Sequence, residues 1–153
     1  MRIKGDNRVV NFHKHHLDLC DLNEFDQSNM DLFDNYREYI GHFAQAGLAF
    51  TGLSKGEIFG CFGLWLLWPG VAEAWLIPSR NLGRKTITFH RAALRYFEYA
   101  AVKLQLKRLQ FTVHSHNVPA CRWAERCLFE KEGVMRNYGP DGADYILFAR
   151  TMN

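Results

Sequence analysis

Trp75-Leu76-Ile77-Pro78-Ser79-Arg80-Asn81-Leu82-Gly83-Arg84-Lys85-Thr86 reads as a strand that runs through a short polar loop into a helix. Pro78 closes the apolar run, and beyond the loop Phe89, Ala93, Phe97, Ala100 and Leu104 recur on one face at helical spacing. The first turn of a helix leaves backbone N–H groups without intrahelical partners and carries a partial positive charge, so the loop is a candidate anion cradle. Gly83 lets backbone approach a phosphate closely, and Arg80, Arg84 and Lys85 supply cationic donors. By itself the loop reads more readily as a plain strand-to-helix connection, because one glycine among solvated charges is common.

Working outward from this junction, Leu48 to Leu53, Glu57 to Trp68 and Val71 to Ile77 form three strands. They are joined through Ser54-Lys55-Gly56 and Pro69-Gly70, an antiparallel meander with tight turns. Upstream, Arg8 to Phe12 is a short strand. Leu17, Leu19, Leu22 and Phe25 then suggest one helix, and Leu32 to Phe43 a second that Gly47 stops. Downstream, Arg108 to Val113 alternates as a strand, Pro119 opens a helix through Trp123 to Leu128, and Val134 to Tyr138 and Asp144 to Thr151 flank the turn cluster Gly139-Pro140-Asp141-Gly142. The order implies an α+β fold: a mixed, mostly antiparallel central sheet of about seven strands with helices on both faces.

Composition limits what such a fold can be for. At 153 residues, 48% apolar and 23% charged, the chain reads as one domain over 1–153 with a real core and no disordered tract. Cys20, Cys61, Cys121 and Cys127 show no Cys-x-x-Cys, and His13, His15 and His16 have no carboxylate or cysteine at ligand spacing, so no metal is expected and reduced thiols in a cytoplasmic protein are. The start of the chain lacks the apolar run of a secretory signal, and Pro69, Gly70, Glu73 and Pro78 break up the longest apolar stretch, so no membrane is expected. Charge is segregated. Ser79 to Gln110 carries +7 and Leu17 to Glu38 carries −6, so one region attracts anions and the other cations unless both are merely solvated helix faces.

From about Asn7 to Thr151 in element order, and most sharply in its second half, the chain resembles the GCN5-related N-acetyltransferase (GNAT) superfamily, as a divergent member. Arg80-Asn81-Leu82-Gly83-Arg84-Lys85 matches the first and fourth positions of the family's Gln/Arg-x-x-Gly-x-Gly/Ala loop, in the strand-to-helix context where that loop occurs. Asn117-Val118-Pro119-Ala120 matches Asn-x-x-Ala after the fifth strand, and Phe129-Glu130-Lys131-Glu132-Gly133-Val134-Met135-Arg136 has the texture that leads into the sixth. Asp141 to Ala149 is similar to the final hairpin.

The resemblance implies transfer of an acetyl group from acetyl-CoA, as co-substrate, to a primary amine by direct attack in a cleft between the fourth and fifth strands. It places pantetheine on the backbone of Leu76 and Ile77, pyrophosphate on the loop amides from Asn81 to Thr86 with Arg80, Arg84 and Lys85 about it, and the Asn117 side chain across the cleft. Glu73 is the implied general base, set against an edge glutamate facing solvent; His116, paired with His114 at the end of the fifth strand, is a second candidate, set against a hydrogen-bonded strand-end histidine. Two departures stand out. Lys85 occupies a position the family keeps small, and Ala124 occupies the place of a tyrosine that protonates the departing thiolate, beside Trp123, whose indole is no comparable acid. They feed an alternative: a retired fold kept as a protein-binding or virion-associated structural protein of phage or prophage origin. The acceptor is expected to be a small-molecule or peptide amine, the final strands are a candidate homodimer surface, and nucleic acid is not expected, since no reading motif accompanies the basic helix.

Overall fold

The computed structural model describes residues 2–3, 6–44 and 47–152, apart from the side chains of Arg2, Ile3 and Arg84. In chain order come β1 (Arg2–Ile3), β2 (Asn7–Asn11), α1 (His16–Leu19), α2 (Glu24–Leu32), α3 (Tyr36–Phe43), β3 (Ala49–Ser54), β4 (Glu57–Trp68) and β5 (Val71–Pro78). A 3₁₀ turn (Gly83–Lys85), α4 (Thr86–Lys103), β6 (Arg108–His114), α5 (Val118–Arg126), β7 (Glu130–Met135) and β8 (Tyr145–Thr151) follow. One sheet takes all the strands in the order β1-β2-β3-β4-β5-β6-β8-β7. Every neighbouring pair is antiparallel except β5 and β6. The two-residue β1 adds to the seven strands expected.

The meander forms because its turns suit the twist of the strands. Lys55 and Gly56, at φ 51° and 81°, make a two-residue hairpin of the primed kind, and Gly70 at φ 89° takes the left-handed position after Pro69. A parallel partner for β5 needs a crossover, which α4 supplies. Side-chain alternation then sets the layers. Ala72 and Ala74 of β5 join Phe97, Leu109, Phe111, Phe129 and Phe148 in a core under α4 and α5, whereas Ile77 joins Leu17, Cys20, Tyr36, Ile40 and Cys61 under α1 and α3. Each face therefore has its own apolar contact, and burying one Phe or Leu of this kind stabilises by roughly 1.5–3 kcal/mol.

Three local expectations are corrected. The helix suggested by Leu17 to Phe25 breaks: α1 ends at Leu19, Leu22 makes an isolated antiparallel bridge with Ser79, and α2 starts afresh. The reason is Asn23, whose Oδ1 accepts from the Phe25 and Asp26 amides as an N-cap, which outweighs the helical spacing of the leucines. The penultimate strand occupies Glu130–Met135 rather than Val134 to Tyr138, because the turn to β8 begins at Arg136. The stop expected at Gly47 comes earlier, at Phe43, and Gln45 and Ala46 lie outside the described residues. No described helix is long and apolar enough to cross a membrane.

Candidate functional site

β5 and β6 part company. They pair only at Val71 with Arg108, Ala72 with Leu109 and Glu73 with Gln110, yet β5 runs on to Pro78 and β6 to His114. Each arm has a better partner on its far side, since β5 stays laddered to β4 as far as Pro78 with Gly60, and β6 to β8 as far as His114 with Tyr145. The closed end is pinned by the Gly70 carbonyl, which accepts from both the Lys107 and the Arg108 amides at 2.7 and 3.1 Å. The result is a wedge whose vertex is Glu73 beside Gln110.

Backbone alternation decides which groups line the wedge. Ser79 donates its N–H to Phe59 on β4 at 2.9 Å, while the next residue, Arg80, donates the other way to Asp21 at 2.8 Å. Even-numbered residues of β5 therefore aim their backbone groups at the gap, odd-numbered ones at β4. Leu76 offers its amide and carbonyl to the wedge; Ile77 is registered with Cys61 and its backbone belongs to the β4 ladder. Asp21 to Asn23 edges the last residues of β5, and the Phe25 ring lies 4.7 Å from His114 at the end of β6, so the α1–α2 connection crosses the open end.

Glu73 is not an edge residue. Its strand lies inside the sheet, and burial raises its carboxyl above the ordinary value, with a Gln110 hydrogen bond pulling the other way. Its charge is felt by the Tyr39 and Tyr138 phenols, whose own values burial raises first. His114 is occupied on both ring nitrogens: Nδ1 accepts from the His116 amide at 3.2 Å, which puts the proton on Nε2, 2.9 Å from Asp141. The His116 ring is exposed, 5.6 Å from that of His114.

The loop after β5 is a narrower cradle than Asn81 to Thr86 suggests. The Asn81 amide donates to Ser79 Oγ at 3.2 Å, Lys85 to the Leu82 carbonyl at 2.8 Å, and Thr86 to the Gly83 carbonyl, which also receives the Thr86 hydroxyl. Leu82 and Gly83 are left with amides that meet no described acceptor. Gly83 sits at φ 46°, and a Cβ there would meet nothing within 4 Å, so its outer side is open. Asn81 Nδ2 is held by Asp21, and the Arg84 side chain lies outside the described residues. Lys85 lines a separate cavity of about 480 Å³ with His16, Asp21, Glu57 and Ser79.

No family model matches the chain, and no curated protein matches its sequence. Solved structures do. A GNAT-family acetyltransferase from Bacillus anthracis superposes with a TM-score of 0.70 over 96% of this chain and 95% of its own, at 16% identity. Ard1 from Thermoplasma volcanium gives 0.73 over 97% and 99%, at 12% identity, and a variant of spermidine N-acetyltransferase SpeG from Vibrio cholerae gives 0.69 over 95% and 94%, at 16% identity. The fold is the GNAT fold.

Within that fold, Asn117 serves α5 itself, its Oδ1 accepting from the Ala120 amide at 3.3 Å. Ala124 is fully buried in the core under α5. Trp123, one residue earlier, has a buried Nε1–H with no partner among the described residues. Asp26, Tyr39, Gln110 and Tyr138 went unread in the sequence. Burial lifts the Asp26 carboxyl to about 7 against the pull of an Asn23 hydrogen bond of 2.9 Å. The signal for it was Asn23 three residues before an acidic residue, the N-cap and N3 pattern of a helix start.

Proposed function

We propose that the chain is an N-acetyltransferase that moves the acetyl group of acetyl-CoA to a primary amine by direct attack in the β5–β6 wedge. One observation carries this: the two strands separate immediately past a half-buried glutamate, with an amide-bearing glycine loop at the end of the same strand. The residues fit the co-substrate. The Leu76 backbone faces the gap as a strand-like partner for an amide-bearing arm, the Leu82 and Gly83 amides and the Arg80 side chain suit a diphosphate, and Asn117 Nδ2 suits the opposite wall. Ile77 contributes side-chain packing behind Leu76.

Acetyl-CoA supplies a thioester whose carbonyl carbon an amine can attack. Glu73 removes the ammonium proton, directly or through water, and its raised pKa keeps it basic enough for that task. The Tyr39 and Tyr138 phenols lie near enough to feel its charge. His116, exposed just past β6, is the second candidate for taking that proton. As the C–S bond breaks the electron pair stays on sulfur, and no hydroxyl waits at Ala124 to protonate it. The acidic α1–α3 segment suits a cationic small-molecule or peptide amine. The free thiols of Cys20, Cys61, Cys121 and Cys127 agree with a cytoplasmic setting.

Calorimetry with acetyl-CoA tests the reading. Saturable binding is expected, and Gly83→Asp, whose carboxylate would face the phosphates, should abolish it. Absence of heat at millimolar ligand would leave a GNAT fold kept as a binding or structural protein.

A further inference from the structure

Glu73 and Gln110 are registered side by side at the vertex of the wedge, and the Gln110 amide is not free to choose which end it presents. Its Oε1 accepts from Arg108 Nε at 2.8 Å. An amide accepts only through oxygen, so Nε2, with its two donors, is the end left for the hydrogen bond to Glu73. Arg108 is fixed in turn. Its two terminal nitrogens donate to the two carboxylate oxygens of Glu132 at 2.9 and 2.6 Å, a fork that sets the plane of the guanidinium as well as its place. Glu132 comes from the irregularity in β7 between Lys131 and Gly133 and reaches across β8, where the residue opposite Gln110 is the small Ala149. A half-exposed ion pair contributes little to stability by itself. What sets this one apart is that the third arm of the guanidinium is spent on Gln110.

We infer that Arg108 is a positioning residue for the general base: clamped by Glu132, it holds the Gln110 amide with Nε2 toward Glu73 and so favours the ionised carboxylate that the reaction needs. The inference rests on the acetyltransferase reading above. Without Arg108 the amide can turn over, and Oε1 would then accept from the protonated acid and favour that form instead. The other groups about Glu73 are the Tyr39 phenol of α3, the Tyr138 phenol of the β7–β8 connection and Trp65, its registered partner on β4. None of the three is a cation, which leaves Gln110 to stabilise the charge.

The test is a double-mutant cycle read at Glu73 itself, by NMR titration of its carboxyl carbon in the whole protein. Gln110→Leu and Arg108→Met should each raise the Glu73 midpoint by about one pH unit, and the double variant should raise it no further than Gln110→Leu alone. A guanidinium acting through space would add its own shift to that of Gln110→Leu, so additive shifts overturn the inference. In wild-type protein the Gln110 side-chain N–H resonances should move with the Glu73 midpoint, a readout that stands even where a variant does not fold; resonances blind to that titration overturn the inference as well. Calorimetry with acetyl-CoA on the same samples separates the two readings. Binding without the shifts sinks this inference alone, and the shifts without binding leave a clamped carboxylate and sink the acetyltransferase reading.

Discussion

Leu128 sits at φ 66°, just past α5, where its amide donates to the Glu125 carbonyl and the Phe129 amide to that of Ala124. This is a Schellman end with an exposed leucine in the position glycine favours. Leu128→Gly should therefore stabilise the protein by about 1 kcal/mol, read as a rise of roughly 2–4 °C in Tm. Glu73 makes the sharper functional prediction. Because burial raises its pKa, kcat/KM should climb with pH through a midpoint above the ordinary glutamate range, and Glu73→Gln should remove that limb and lower kcat about 10²- to 10⁴-fold. Asp26 acts on stability instead. Its folded pKa of about 7 lies above its unfolded value, so the folded state binds the proton more tightly and stability falls as pH rises from about 4 to 7. Asp26→Asn should then raise Tm more at pH 8 than at pH 4; equal shifts at both would contradict a buried, protonated carboxyl.

Among the elements, the wedge is shaped by competition between ladders rather than by any residue inside it. β4 and β8 hold the two arms so completely that β5 and β6 keep contact only where the Gly70 turn pins them. Gly63 shows how tightly β4 and β5 are matched, since a Cβ there would lie 2.8 Å from both the Leu48 carbonyl and the Trp75 ring. Gly63→Ala should cost about 1–3 kcal/mol in denaturant unfolding. The strand texture, the turns and α4 were legible because alternation, Pro69-Gly70 and a long amphipathic face are local signals. The break between α1 and α2 was not. Leu17, Leu19 and Leu22 have helical spacing, and the partner that draws Leu22 into an extended bridge, Ser79, lies far along the chain.

For the molecule as a whole, charge is segregated along the chain, with +7 over Ser79 to Gln110 and −6 over Leu17 to Glu38. Within the basic run Arg108 is bound bidentately by Glu132 and so is already neutralised within the fold, whereas Glu98, the run's one carboxylate, pairs with Arg150 of β8. If the wedge holds its ligand as proposed, acetyl-CoA at about 100 times its Kd should add roughly 2.7 kcal/mol of stability, seen as a clear rise in Tm by calorimetric scanning. Moderate added salt should not abolish that effect, whereas mere charge attraction would vanish in it.

What the sequence by itself determined is the local grammar: seven strands, the helix after the Arg80 to Lys85 loop, the glycine and proline turns, and a carboxylate at position 73. Those follow from periodicity and from conformations that only certain residues favour. Only the tertiary structure decided that Glu73 stands at the vertex of a gap, that His114 is bound to Asp141, that the loop amides at Asn81, Lys85 and Thr86 are already occupied, and that the Trp123 N–H has no partner among the described residues. Each of these depends on which distant backbone or side chain comes within hydrogen-bond reach, and pairing across a sheet is a contest among strands that no single stretch of sequence records.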